Sequence, residues 1–208
     1  MKNGRCVSLH RKGAKIMDNQ NFTKYIRTEK QKQFDTDFFK DAETYEVWEE
    51  IDFSNLNEID GQRTFEVRAE DIKFYSEAIM DDNPLMNDEE YAKQSPYGGL
   101  VPHPIFATQI IFWCIGEKGR GNWIRTPGAR NPGQYIEIYE NFRVGEVIHI
   151  KMRPHDRYIK RGKYYLKYEI TLYNQDNVKK GKCIGTLILP KSRTDIETFL
   201  KGERGVDV

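Results

Sequence analysis

An α+β fold, with one antiparallel sheet wrapped around a single buried helix, is what the 208-residue sequence predicts. Two observations lead there. Between Ile105 and Ile115 the chain is almost wholly apolar, broken only by Thr108 and Gln109, so a helix from about Pro104 to Gly116 must be buried on most of its sides. Beyond Gln134 the hydrophobic period changes to two, giving four long strand candidates at 135–144, 147–158, 163–173 and 182–189. One buried helix and one meander are best packed by wrapping the sheet around the helix.

The elements follow in order. Thr64 to Ala69 alternates and reads as a strand; Glu70-Asp71 then opens a helix through Met80, with Ile72, Tyr75 and Ile79 on one side. Pro84 disfavours helical backbone at Asn83, so Asp81 to Met86 leaves the helix as an irregular loop. Asn87 to Gln94 makes a short helical turn, and Ser95 to Phe106 a Gly/Pro-rich turn into the buried helix. Residues 116–134, with five glycines, read as a long loop carrying Arg120, Arg125 and Arg130. Leu166, Tyr168, Ile170 and Leu172 mark the core face of the third meander strand, and Arg161-Gly162 the turn before it.

Residues 62–192 therefore form the domain. Residues 17–61 are an acidic, partly helical extension in which Phe34, Phe38, Phe39, Tyr45, Val47 and Trp48 suggest one or two short helices, and 193–208 a short C-terminal helix and tail. The basic stretch 1–16 has neither an apolar signal core nor amphipathic period. In a bacterial source, Lys12-Gly13-Ala14 would permit a ribosome-binding sequence upstream of the Met17 codon, which predicts initiation at Met17; a basic arm is the alternative.

Composition narrows the function. No run approaches the roughly 20 apolar residues of a membrane-spanning helix, so a transmembrane protein is excluded and no membrane partner is expected. Cys6, Cys114 and Cys183 are far apart, and His149 and His155 have no ligand-spaced companions; neither a disulfide framework, a metal nor another cofactor is indicated, and the expected compartment is the cytoplasm. The net charge of +1 conceals segment charges of +5, −7, −4 and +7 over 1–16, 17–61, 62–150 and 151–208. The basic C-terminal third could attract an anionic ligand or be a solvated sheet face; no nucleic-acid module accompanies it, so no nucleic-acid partner is expected.

The stretch Ala78 to Ala92, containing Asp81-Asp-Asn83-Pro84-Leu-Met86, followed by Tyr97-Gly-Gly99-Leu-Val-Pro-His103-Pro104-Ile-Phe106, resembles the hotdog fold of MaoC-like (R)-specific enoyl-thioester hydratases and 3-hydroxyacyl-thioester dehydratases. The likeness runs from about Thr64 to Pro190 and is greatest to the N-terminal MaoC dehydratase-type domain, including non-catalytic subunits of heteromeric enzymes. In catalytic members the motif is G-D-x-N-P-[LIV]-H, then a Gly-Gly turn and a glycine-started helix. The resemblance implies an Asp and a His sharing one water, which shuttle its proton, and a backbone N–H aimed at the thioester oxygen.

On this reading Asp81 keeps the carboxylate, with Asn83 bracing the loop; scaffolding is the alternative for both. Met86 stands where the family has His and can relay no proton. Pro104 stands where the helix-starting Gly would be and has no N–H to offer. Met80 replaces the motif's glycine. Gly99 falls in the Gly-Gly turn and His103 on the family's second histidine. Arg125 and Arg130, with Arg120 and the Lys160, Arg161, Lys163 group, are candidates for the phosphates of coenzyme A or of a carrier protein's phosphopantetheine, or are solvated charges. Phe106, Ile110, Phe112 and Trp113 could floor an acyl tunnel or simply be core.

The expected function is the non-catalytic, substrate-accommodating subunit of a heteromeric hydratase or dehydratase acting on acyl-CoA or acyl-ACP, its partner carrying an intact DxNPxH. An exposed edge strand independently favours an oligomer. Two rivals remain: an autonomous homodimeric hydratase or thioesterase using Asp81, and a non-enzymatic acyl-CoA-binding module.

Overall fold

The computed structural model describes residues 26, 28–33, 44–54, 57–117 and 120–201. The stretch 1–16, Met17 and the aromatics Phe34, Phe38 and Phe39 lie outside the described residues. A short helix α1 (Glu29–Gln33) precedes two strand fragments, β1 (Ile59–Asp60) and β2 (Phe65–Glu66). Helices α2 (Ala69–Ala78), α3 (Pro84–Asn87), α4 (Glu89–Gln94) and α5 (Phe106–Ile115) follow, then strands β3 (Arg130–Ile138), β4 (Val147–Lys160), β5 (Lys163–Tyr173) and β6 (Lys179–Leu189), and helix α6 (Arg193–Lys201).

All pairings are antiparallel, in the order β1–β4–β5–β6–β3, with β2 also on β4. The sequence predicts one strand at 64–69; the structure instead has two fragments on the same edge of β4, joined through the Gly61 N–H to the Ile150 carbonyl at 2.9 Å. Val67 still pairs along this edge, its N–H donating to the Glu146 carbonyl and its carbonyl accepting the Gly145 N–H, both at 2.8 Å, before the chain turns into α2, where Arg68 is the extended cap and Glu70 and Asp71 complement the helix dipole.

β3 starts five residues earlier than its apolar alternation suggests and ends at Ile138. Pro132, which lacks a donor, is accommodated because β3 is an edge strand with a register shift between Arg130 and Gly133. Its far end bends where the Tyr139 and Glu140 N–H groups both turn to the Lys180 carbonyl.

Seven of the ten residues of α5 are buried. They pack on Ile148, Ile150 and Met152 of β4, Leu166, Ile170 and Leu172 of β5, and Cys183, Leu187 and Leu189 of β6. Each fully buried Ile or Leu in this layer contributes about 1.5–3 kcal/mol. Tyr168 fits because β6 opposes it with Gly185; a Cβ there would stand 2.1 Å from the Tyr168 ring. The Trp113 indole N–H donates to the Thr64 carbonyl at 2.9 Å, fixing α5 against β2.

Residues 44–53 belong to the core as well. Tyr45, Val47 and Ile51 are buried, and the N–H groups of Trp48 and Glu49 donate to the carbonyls of Pro190 and Lys191 at 3.0 and 3.2 Å. Further upstream, Lys30 on α1 bonds Asp71 and the Glu66 carbonyl, its ammonium 4.3 Å from the Phe65 ring centroid.

Candidate functional site

The loop after α2 is held by its own polar groups. Ile79 caps the helix, Met80 turns the chain with φ 57, and the Asp81 N–H donates to the Ser76 carbonyl at 3.0 Å. Asp81 Oδ1 accepts the Asn83 N–H at 3.0 Å, and Asn83 Oδ1 caps α3 by accepting the Leu85 N–H at 3.0 Å, with Pro84 at the first helical position. Asn87 closes the cage. Its Nδ2 lies within 3.0 Å of both Ser76 Oγ and the Asp81 carbonyl and 3.2 Å from the Asn83 carbonyl. Neither Ser76 nor Asn87 stands out in the sequence, although Asn87 directly follows the motif.

Met86, the residue at the histidine position, is 7% exposed and packs into the main core. Its thioether occupies apolar surroundings in which an imidazole would have to be desolvated. At the start of α5, Pro104 is exposed and has no donor. The next N–H groups are consumed inside the turn: Ile105 to His103 Nδ1 at 3.2 Å, Phe106 to the His103 carbonyl at 2.8 Å, Ala107 to the Pro104 carbonyl at 3.3 Å and Thr108 to the Ile105 carbonyl at 2.9 Å. No N–H in that turn is aimed outward at an oxyanion. While His103 Nδ1 accepts, its ring is occupied as a cap and cannot use that nitrogen as a base.

The motif loop and the helix start are brought together. Tyr75 of α2 has its ring 6.4 Å from His103 and 5.3 Å from Phe106, and the Val101 N–H donates to the Leu85 carbonyl at 3.0 Å. Burial raises the Tyr75 phenol's pKa above its ordinary value. Phe106 is 1% exposed and stacks edge-on against Phe65 at 5.8 Å. Gly99 lines a groove of about 730 Å³ between residues 96–101 and 138–144.

The far wall of that groove rests on a buried cation. Lys180, 1% exposed, reaches Glu146 at 2.9 Å and Glu140 at 3.5 Å, and Glu146 also accepts the Arg143 N–H at 2.8 Å and Asn174 at 3.3 Å. Burial alone would raise the Glu146 carboxyl, but the bonds from Arg143, Lys180 and Asn174 outweigh it and hold the group below its ordinary range.

The arginines are elsewhere. Arg125 is 6% exposed in a turn at 123–125, and Arg130 begins β3 opposite Ile188, the neighbour of Tyr165 at the other end of the sheet. His149 stacks on Tyr173 at 5.6 Å. Among the described residues no group of three or more His, Cys, Asp or Glu is placed to hold a metal ion, and no helix is long and apolar enough to cross a membrane.

The strand order, the single sheathed helix and the DxNP loop at its start define a MaoC-like hotdog domain. Residues 57–179 match the family model described as the FAS1-like dehydratase domain region, and the chain belongs to that family. A curated relative, 3-hydroxybutyryl-CoA dehydratase of Methylorubrum extorquens, is 24% identical over 87 residues, covering 42% of this chain and 52% of the relative; the chain thus spans about half of that protein's length. A MaoC-like dehydratase from Rhodospirillum rubrum superposes with a TM-score of 0.57 at 16% identity, over 71% of this chain and 99% of that one. The HadBC (3R-hydroxyacyl-ACP dehydratase) complex from Mycobacterium tuberculosis gives 0.55 at 18% identity, over 64% and 97%.

Proposed function

We propose that the chain is the non-catalytic, substrate-accommodating subunit of a heteromeric (R)-specific hydratase or dehydratase of enoyl and 3-hydroxyacyl thioesters. The observation that carries this reading is the start of α5: Pro104 has no N–H, and the next four are spent within the turn. Met86 removes the proton relay from the same locality. Asp81 persists as the acceptor that shapes the loop. A partner with an intact DxNPxH motif would hold the water between its own Asp and His and supply the N–H for the thioester oxygen. This chain's apolar helix start would then receive part of the acyl group, carried on coenzyme A or a carrier protein.

Two features support assembly. β3 pairs only with β6 among the described residues, leaving its other edge open, and that strand carries Tyr135 at 58% exposure. The similar HadBC structure is itself a complex.

Affinity isolation of the tagged chain from its native host, with native mass and sequencing of what accompanies it, tests the reading. A stoichiometric companion bearing DxNPxH, with hydration of an enoyl thioester only when both are present, is the expected result. A homodimer that hydrates enoyl thioesters alone and loses activity in Asp81→Asn would overturn it.

A further inference from the structure

The groove beside Gly99 holds two exposed groups that have no partner among the described residues. Arg143 stands on one wall and Tyr97, 52% exposed, on the other. The other charged side chains of the groove are already matched: Lys93 by Glu90 at 2.8 Å, Glu89 by Lys73 at 2.6 Å and Glu140 by the buried Lys180 at 3.5 Å. Arg143 and Tyr97 bond through their backbone N–H groups alone, to Glu146 and to Ser95 Oγ. The guanidinium and the phenol ring are left over.

The wall that carries Tyr97 is otherwise bare backbone. Gly98 has φ 71, which glycine adopts without strain, and a Cβ at Gly98 or Gly99 would meet no atom within 4 Å. Among the described residues the N–H groups of Gly99 and Leu100 make no hydrogen bond, so this wall keeps two donors. Leu100 and Phe142, both buried, supply the apolar part of the lining. An open aromatic ring, two backbone donors and a guanidinium facing them suit a planar heterocycle that bears a phosphate. The ring stacks on Tyr97, its acceptor nitrogens take the N–H groups, and the phosphate meets Arg143.

We propose that this groove takes the adenosine phosphate end of coenzyme A, with adenine on Tyr97 and a phosphate on Arg143. Given the thioester chemistry of the proposed subunit function, on which this inference rests, the acyl group then arrives on coenzyme A and not on a carrier protein. A carrier protein presents the same pantetheine arm without a nucleotide and would leave both groups idle. The path to the helix start is short. Val101 lines the groove and Pro104 follows three residues later, no more than about 11 Å of chain, which a pantetheine arm can cover. The cations that the sequence offers for phosphate are not placed for this. Lys163, beside Lys160 and Arg161, lies nine residues along β5 from Leu172, roughly 30 Å in an extended strand, and Leu172 pairs in the row of Gly181 and Ile138 beside the groove.

The test is isothermal titration of the full chain with coenzyme A, with adenosine 3′,5′-bisphosphate and with pantetheine. Coenzyme A and the bisphosphate should bind with similar affinity, and pantetheine should give no measurable heat. Arg143→Gln should weaken both nucleotides about tenfold. Tyr97→Ala should weaken them at least about fivefold, with circular dichroism unchanged in both variants. No binding of either nucleotide, binding indifferent to both substitutions, or pantetheine binding as tight as that of coenzyme A would overturn the proposal. So would a carrier protein that binds more tightly than coenzyme A and is lost in Arg143→Gln, because the guanidinium would then serve a protein surface. These titrations need neither a partner nor turnover. A homodimer that hydrates enoyl thioesters alone would end the subunit reading and leave the nucleotide site standing, whereas failed titrations beside an intact heteromer would do the reverse.

Discussion

Met80→Gly should stabilise this protein although it deletes a large apolar side chain. Met80 has φ 57 and is 91% exposed. A left-handed conformation costs a non-glycine L-residue about 1–2 kcal/mol. With so little of the side chain covered, truncation forfeits only about 0.5 kcal/mol of burial. Glycine's extra freedom in the unfolded chain takes back a further ~0.5–1 kcal/mol at most. The balance runs from about −0.5 to +1 kcal/mol and is centred on a small gain, a rise in Tm of at most about 2–4 °C for a chain of this size. Met80→Asn relieves the same strain with less entropy to lose, whereas Met80→Ala keeps the strain and gains nothing. Thermal melts of the three variants at one concentration decide the matter. A Met80→Gly midpoint at or below that of Met80→Ala would show that the left-handed turn stores no strain and that the reasoning is wrong.

Three further outcomes are expected. Lys180→Met leaves the Glu146 side chain, 13% exposed, without its cation and should cost about 3–5 kcal/mol in urea unfolding, partly restored by adding Glu146→Gln. Because the folded Glu146 carboxyl lies below its ordinary 4.5, its contribution is complete above that pH and is lost as the pH falls through the lower folded value; Glu146→Gln should flatten the acid limb of the stability curve. Burial pushes the Cys114 thiol up to about 12 and Cys183 to about 11, so at pH 8 a Cys6→Ser protein should show no reaction with a disulfide reagent until urea is added.

The meander and the buried helix were legible because they are local patterns: the alternation in β5 and an apolar run in α5 interrupted only by Thr108 and Gln109 leave one way to bury each. The losses at Met86 and Pro104 were equally readable, since each follows from one side chain's chemistry. What escaped depends on distant partners. That the N–H groups of residues 105–108 are consumed internally, that Asn87 braces Asp81 and Asn83, and that Tyr45, Val47 and Ile51 are core are facts of packing which no spacing encodes. The early start of β3 was hidden because Pro132 and Gly133 read as loop residues, and only an edge position tolerates them.

The short ladder between Trp48 and Pro190 also sets a timetable. The β4, β5 and β6 hairpins join neighbours in sequence and can form as they leave the ribosome, but residues 44–53 dock only when the strand ending at Leu189 and the two residues after it have emerged, about 140 residues later. At cellular elongation rates that is roughly 7–30 s during which Tyr45, Val47 and Ile51 stand uncovered. Trp48, whose indole donates to the Tyr165 carbonyl at 3.0 Å, is thus a natural fluorescent clock for the closing step, while Trp113 reports the earlier seating of the central helix.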